Sequence, residues 1–176
     1  EDSASNTFAV SVENTNDGPT VTADIADQAT SEDAAFNLDV SSNFADEDLG
    51  DTLTYSATLQ NGDDLPDWIS IDSETGELSG TPENGDVADL SITVTASDGE
   101  ESASNTFSVS VENTNDGPTV TADIADQTTA EDATFNLDVS ANFTDEDLGD
   151  TLTYTATLQN GENLPDWISI DSETGE

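Results

Sequence analysis

Carboxylates are the only side chains that this sequence offers in quantity for chemistry, and they come in groups. Asp46-Glu47-Asp48-Leu49-Gly50-Asp51 places four acids in six residues. Glu13-Asn14-Thr15-Asn16-Asp17-Gly18-Pro19 mixes acids with carboxamides, Asp98 stands alone before Gly99, and Glu32-Asp33 forms a smaller pair. Alternation of Asp46 and Asp48 in a loop lets both carboxylates turn toward one cation. Ca²⁺ takes six to eight oxygens at roughly 2.3–2.6 Å from carboxylates, carbonyls and Asn side chains, whereas Mg²⁺ holds on to its water, so Ca²⁺ is the better match. In a chain with 41 acids, spacing alone does not separate a cation site from a solvated run of charge.

Composition removes most other chemistry. The chain has no Lys, Arg, His, Cys or Met, so a formal charge of −41 is unopposed over 176 residues. Nucleic acid is excluded as a partner because displacing phosphate counterions needs Lys or Arg, and an anionic membrane surface is disfavoured for the same reason. No Ser-His-Asp set, thiol nucleophile or Schiff base can be built, nor a zinc site of Cys and His. Paired carboxylates could act as in glycosidases, but acids are so common here that a pair reads as solvated surface; the expectation is a protein that is not an enzyme. The sequence shows no signal peptide and no apolar run long enough to enter a membrane. Low hydrophobicity with high net charge is also the composition of a disordered chain, and only pattern can overrule it.

The pattern is a repeat of 99 residues. Asn14-Thr15-Asn16-Asp17-Gly18-Pro19 returns as Asn113-Thr114-Asn115-Asp116-Gly117-Pro118, and Trp68-Ile69-Ser70-Ile71 as Trp167-Ile168-Ser169-Ile170. Residues 1–77 and 100–176 agree at 67 positions and differ at 10. Residues 1–17 match the last strand of a repeat plus its linker, 18–116 make a complete repeat, and 117–176 match the first part of the next. The sequence therefore reads as part of a longer array.

Within a repeat, apolar residues alternate with polar ones, the mark of half-buried strands. Phe36, Leu38 and Val40 form one run; Leu53, Tyr55, Ala57 and Leu59 another; Leu90, Ile92, Val94 and Ala96 a third; Phe107, Val109 and Val111 a fourth. Shorter strands are expected at Thr20–Ala23, Trp68–Ile71 and Leu78–Thr81, with turns at Asn61-Gly62, Thr75-Gly76, Asn84-Gly85 and Asp98-Gly99. The expected fold is all-β: tandem Greek-key β-sandwiches of about seven strands, cadherin-like or Ig-like, with Trp68, Tyr55, Phe36 and Phe107 in the core.

The order of the motifs resembles a cadherin repeat, in particular the bacterial and dystroglycan-type cadherin-like modules of large surface adhesins. Ser31-Glu32-Asp33 resembles the early Pro-Glu-Asn/Asp motif, and Asp46-Glu47-Asp48 with Leu53-Thr54-Tyr55 resembles the Asp-x-Asp motif and its downstream tyrosine. Ile69-Ser70-Ile71-Asp72-Ser73-Glu74-Thr75-Gly76 resembles the hydrophobic-Asp-x-x-Thr-Gly strand pair. Thr93 to Gly99 resembles the segment whose Asp ligates calcium. Glu13 to Asp17 resembles the Asp-x-Asn-Asp linker, with Asn14 where the first Asp would stand. The resemblance implies Ca²⁺ sites at the linkers, shared by consecutive repeats. One would use Asn14, Asn16, Asp17, Asp46, Asp48 and Asp98; the next Glu32, Asn113, Asn115, Asp116, Asp145 and Asp147. Glu131 would serve a further linker, and Asp51 and Asp150 would add an oxygen each. The Leu-Asp-Arg-Glu motif is missing, Glu83 being a weak stand-in, so fewer ions per linker are expected than in adhesion cadherins.

The function this implies is a calcium-stiffened extender of an extracellular or cell-surface adhesin or fibre, of the kind that mediates adhesion, biofilm or filament formation. Its expected partners are neighbouring repeats of the same chain or fibre, together with homophilic or strand-exchange contacts. The alternatives are a subunit of a non-covalent strand-exchanged filament and a carbohydrate- or protein-binding module. Without the ion, the acids around a linker are expected to repel and leave it flexible.

Overall fold

The computed structural model describes every residue except Leu49 and Leu148, which lie inside the two Asp-rich loops. The described chain divides into two compact units, Glu1–Glu112 and Asn113–Glu176. No helix among the described residues is long and apolar enough to cross a membrane.

In the first unit the period-two runs become strands. They are β1 (Thr20–Val21), β2 (Gln28–Ser31), β3 (Phe36–Asp39), β4 (Phe44–Ala45), β5 (Thr54–Leu59), β6 (Ile69–Ile71), β7 (Glu77–Gly80), β8 (Asp89–Ser97) and β9 (Ser102–Glu112). One sheet has the order β2-β9-β8-β5 and another β3-β7-β6, while β1 pairs with β4. The β8–β9 hairpin is antiparallel with Leu90 opposite Val109, Ile92 opposite Phe107 and Ala96 opposite Ala103. Strand β2 joins β9 in parallel. The two larger sheets close on one core: Tyr55, Ile92, Val94, Ala96, Phe107 and Val109 from one side, Phe36, Ile69 and Leu78 from the other, joined by Val40 and Phe44. This is the all-β sandwich that the alternation predicts.

Two strands escape the periodicity. Strand β2 reads Gln-Ala-Thr-Ser and has no apolar side to reveal it; its ladder to β9 makes it a strand. The two-residue β4 is likewise defined by its partner β1. Asn84-Gly85, expected as a simple turn, is a 3₁₀ turn over Asn84–Asp86, and Glu83 accepts and returns a capping bond with Asp86. Glu83, the weak stand-in for a ligand motif, is thus occupied as a cap.

Of the four expected core aromatics, Phe36, Tyr55 and Phe107 are buried, while Trp68 packs half-buried at the edge. The Phe36 and Trp68 rings meet edge to face at 6.1 Å, and Phe44 meets Tyr55 at 6.2 Å, geometry that places a ring edge against the negative face of its neighbour. Gly76 turns the chain from β6 into β7 at φ 73°, a left-handed conformation costly for a residue with a Cβ. At Gly80 the reason is space: a Cβ would overlap the Trp68 carbonyl.

The second unit keeps the start of this plan. Here β10 (Thr119–Val120) pairs with β11 (Phe143–Thr144), Phe143 meets Tyr154 edge to face at 6.1 Å, and Tyr154 N–H donates to the Ser172 carbonyl at 3.0 Å. The counterparts of β2, β3, β5 and β6 are present but form no strands. The segments that β8 and β9 supply in the first unit have no counterpart among residues 113–176, so the counterpart of β5 has no β8-like strand to pair with. At the other end, Phe8, Val10 and Val12 are 88%, 74% and 89% exposed, while their repeat-mates Phe107, Val109 and Val111 are buried in β9.

Two outcomes are expected from this architecture. Gly80→Ala should cost about 2 kcal/mol or more, because no flexible group can move aside. Gly85→Ala, whose Cβ would meet nothing within 4 Å, should change stability by less than about 0.5 kcal/mol. Urea denaturation of the two variants measures both; equal midpoints would contradict the packing described. Second, the Asp72 carboxylate accepts N–H bonds from Thr75 at 2.8 Å and Glu74 at 2.9 Å, and these hold its carboxyl below the ordinary aspartate range. Asp171 is held down in the same way by Glu173 and Thr174. A depressed folded-state value means stability that is present above the unfolded-state pKa and is lost as pH falls through the folded one. Carboxyl NMR titration should find Asp72 and Asp171 protonating at lower pH in the folded chain than in the urea-unfolded chain.

Candidate metal centre

The acid-rich loop between β4 and β5 folds on itself through backbone donors. Asp48 N–H donates to Asp46 Oδ1 at 2.8 Å, and Asp51 N–H donates to the Asp48 carbonyl at 3.3 Å. These bonds turn Asp46, Asp48 and Asp51 inward until one carboxylate oxygen of each lies within 4.8 Å of the others. The second unit repeats the arrangement with Asp145, Asp147 and Asp150, where Asp147 N–H donates to Asp145 Oδ1 at 3.1 Å.

The linker ahead of each repeat is seated on this loop. Asn14 Nδ2 donates to Asp48 Oδ1 at 2.6 Å and Asp17 N–H donates to Asp48 Oδ2 at 2.7 Å, so both oxygens of one carboxylate hold one short segment. Asn113 Nδ2 and Asp116 N–H do the same to Asp147, at 3.0 and 2.7 Å. Asp48 is 9% exposed and Asp147 6%, low values for aspartates. Asn16 Nδ2 reaches Asp98 Oδ2 at 3.1 Å. Asp98 also accepts N–H bonds from Glu101 and Glu100, which with Asn16 hold its carboxyl below the ordinary range.

Of the residues expected at the first linker, Asp46 and Asp48 gather with Asp51, Asn14 and Asp17 bond to Asp48, and Asn16 bonds to Asp98, which is not part of the Asp46–Asp51 group. In the second unit Asn113, Asp116, Asp145, Asp147 and Asp150 converge, while Asn115 donates instead to the Asp116 carbonyl at 2.9 Å. Glu32 directly follows β2, its side chain buried and its N–H on the Glu112 carbonyl at 3.0 Å. Glu131 lies exposed in the corresponding turn. Leu49 and Leu148 of the loop motif lie outside the described residues.

Three features bear on a cation. The donors are all oxygens, the ligand type of a hard divalent ion. Three carboxylates are gathered where no basic side chain exists to neutralise them. Asp46 Oδ2 is buried and has no hydrogen-bond partner among the described residues, and a buried polar oxygen without a partner calls for water or an ion. The donor set fits Ca²⁺. What sequence reasoning missed is the role of the asparagines. As donors to carboxylates, Asn14 and Asn113 are hydrogen-bonding groups in their own right, and the departure from Asp at that position was the available signal.

The match to a family model agrees with the fold. No curated protein matches the chain. Among solved structures, an endo-fucoidan hydrolase of glycoside hydrolase family 107 is 24% identical over 59% of this chain and 16% of its own, with TM-score 0.45. Human protocadherin-24 EC1-2 is 23% identical over 56% of this chain and 44% of its own, with TM-score 0.41. A chimeric titin Z1Z2 is 15% identical over 57% and 99%, with TM-score 0.38. The chain spans less than a fifth of the length of the fucoidan hydrolase, and none of these likenesses carries an argument about activity. The family model described as "Putative Ig domain" matches residues 18–112 and again 117–176. These two stretches cover most of the sequence, and the chain belongs to that Ig-like domain family.

Proposed function

We propose that this chain is a structural, non-enzymatic repeat of an extracellular adhesin or fibre whose linkers are fixed by Ca²⁺. Asp46, Asp48 and Asp51, with Asp98 and the linker residues Asn14, Asn16 and Asp17, hold the ion in the first repeat. Asp145, Asp147 and Asp150, with Asn113, Asn115 and Asp116, hold it in the second; Glu32 and Glu131 are assigned to linker sites by their motif. The observation that carries the reading is the buried Asp46 Oδ2, left without a donor beside the Asp48 carboxylate on which the linker is seated. When bound, Ca²⁺ supplies the positive charge that these carboxylates lack. The protein's own part is to gather the oxygens and to present the linker backbone to them.

The mechanical consequence follows from linkage. An ion that binds only the seated linker stabilises that arrangement by an amount set by its concentration relative to Kd. Millimolar extracellular calcium suits sites of this modular kind. A tandem array with fixed linkers resists bending, which serves an extender that must hold a binding tip away from a surface. Ig-like membership and a chain without cysteine or methionine to oxidise accord with life outside the cell.

Calorimetric titration with CaCl₂ should give saturable heat, and MgCl₂ a much weaker response. At free calcium about 100 times Kd, unfolding should be harder by about 2.7 kcal/mol than in chelator. Asp46→Asn with Asp48→Asn should abolish both effects in the first repeat. Small-angle scattering should show a narrower spread of end-to-end distances with calcium than with chelator. A chain that neither takes up calcium nor changes its melting with it would end this reading.

A further inference from the structure

We infer that Asn14 and Asn113 are positioning residues that seat each linker on its Asp loop through protein contacts alone, so that calcium meets a segment already in place. The inference rests on the calcium reading for its consequence and on the hydrogen bonds for its substance.

Aspartate is the residue that the resembled linker motif carries at this position. Opposite Asp48 it would be a poor neighbour, because an ionised carboxylate only accepts hydrogen bonds and two like charges in contact repel. An amide of the same shape reverses the sign of the interaction. Asn14 Nδ2 donates to Asp48 Oδ1 at 2.6 Å, while Asp17 N–H takes the other oxygen at 2.7 Å. A donor given to an ionised acceptor makes a stronger bond than one between neutral groups, and Asp48 is nearly buried, which shields the pair from water. The second repeat builds the same two-point seat with Asn113, Asp116 and Asp147.

The exchange has two sides. A seated linker has already lost the freedom that ion binding would otherwise have to remove, and such preorganisation favours binding. One fewer carboxylate lowers the charge available to the ion, and affinity falls with ligand charge. Asparagine therefore gives up some calcium affinity for a linker that stays ordered when calcium is scarce. This reverses the expectation that the acids simply push an ion-free linker away.

Amide hydrogen exchange by NMR on the full 176-residue chain in chelator tests the seat, with the second repeat as internal control. In the unaltered protein, Asp17 and Asp116 amides should exchange at least about tenfold more slowly than unstructured amides. Asn14→Asp and Asn14→Ala should each release Asp17 while Asp116 stays protected and the β8 amides of Ile92 and Val94 show the sandwich intact. With calcium added, Asn14→Asp should regain protection at Asp17 and bind at that repeat roughly tenfold more tightly, whereas Asn14→Ala should not. Free exchange at Asp17 in the unaltered protein, or protection that survives both substitutions, overturns the seat. Protection that behaves as stated while no variant takes up calcium overturns the calcium reading and leaves the seat standing.

Discussion

Every ionisable side chain that carries charge in this protein is an anion, so each buried or crowded carboxylate must be answered by a neutral donor or by an ion. Ordinary proteins answer carboxylates with Lys and Arg; here the backbone does it. Asp39 accepts from Ser41, Asp72 from Glu74 and Thr75, Asp98 from Glu100 and Glu101, and Asp46 from Asp48, in each case two or three residues on. Such local bonds close turns, so the acids that dominate the composition also supply the corners between strands. The same constraint explains the hydroxyls on the exposed side of the β8–β9 hairpin. Cross-strand neighbours lie close enough for like charges to destabilise the pair, and with no bases to alternate, exposed strand positions are best left neutral. Thr93 bonds Thr106 and Thr95 bonds Ser104, each at 2.8 Å.

The fold was legible because burial imposes a period of two, and Phe36-Leu38, Leu90 to Ala96 and Phe107 to Val111 show that period openly. What was not legible was anything that depends on a partner. Strand β2 has no apolar alternation and exists because β9 lies beside it. The strongest case is Phe8, Val10 and Val12 against Phe107, Val109 and Val111. The residue types and spacing are the same, yet one copy is an exposed segment outside any strand and the other the buried strand at the centre of a sheet. Likewise Thr54–Leu59 is β5 opposite β8, while Thr153–Leu158, nearly identical, has no strand beside it and forms none. Alternation specifies which face would be buried; the ladder specifies whether there is a strand at all.

The candidate centre divides along the same line. Asp46, Asp48 and Asp98 announce themselves as acids at loop positions, and their order along the chain pointed to one another across a gap of some fifty residues. Asn14 was legible only as a missing Asp. Its role as a donor needed the position of Asp48, because a carboxamide offers both an acceptor and two donors and sequence does not say which end faces inward.

Asp48 shows how the two demands on such a loop are reconciled. Each carboxylate oxygen carries two lone pairs, and the linker uses one direction on each. The second directions, and Asp46 Oδ2, which has no donor among the described residues, are where the proposed ion would bind. The hydrogen bonds that seat the linker and the oxygens offered to an ion therefore draw on different lone pairs of the same short loop. A base in the loop would have satisfied the carboxylates permanently and closed it to ions. By omitting bases altogether and using amides where contact is needed, the sequence keeps its acids held in place yet incompletely neutralised, which is the condition on which the proposed calcium site depends.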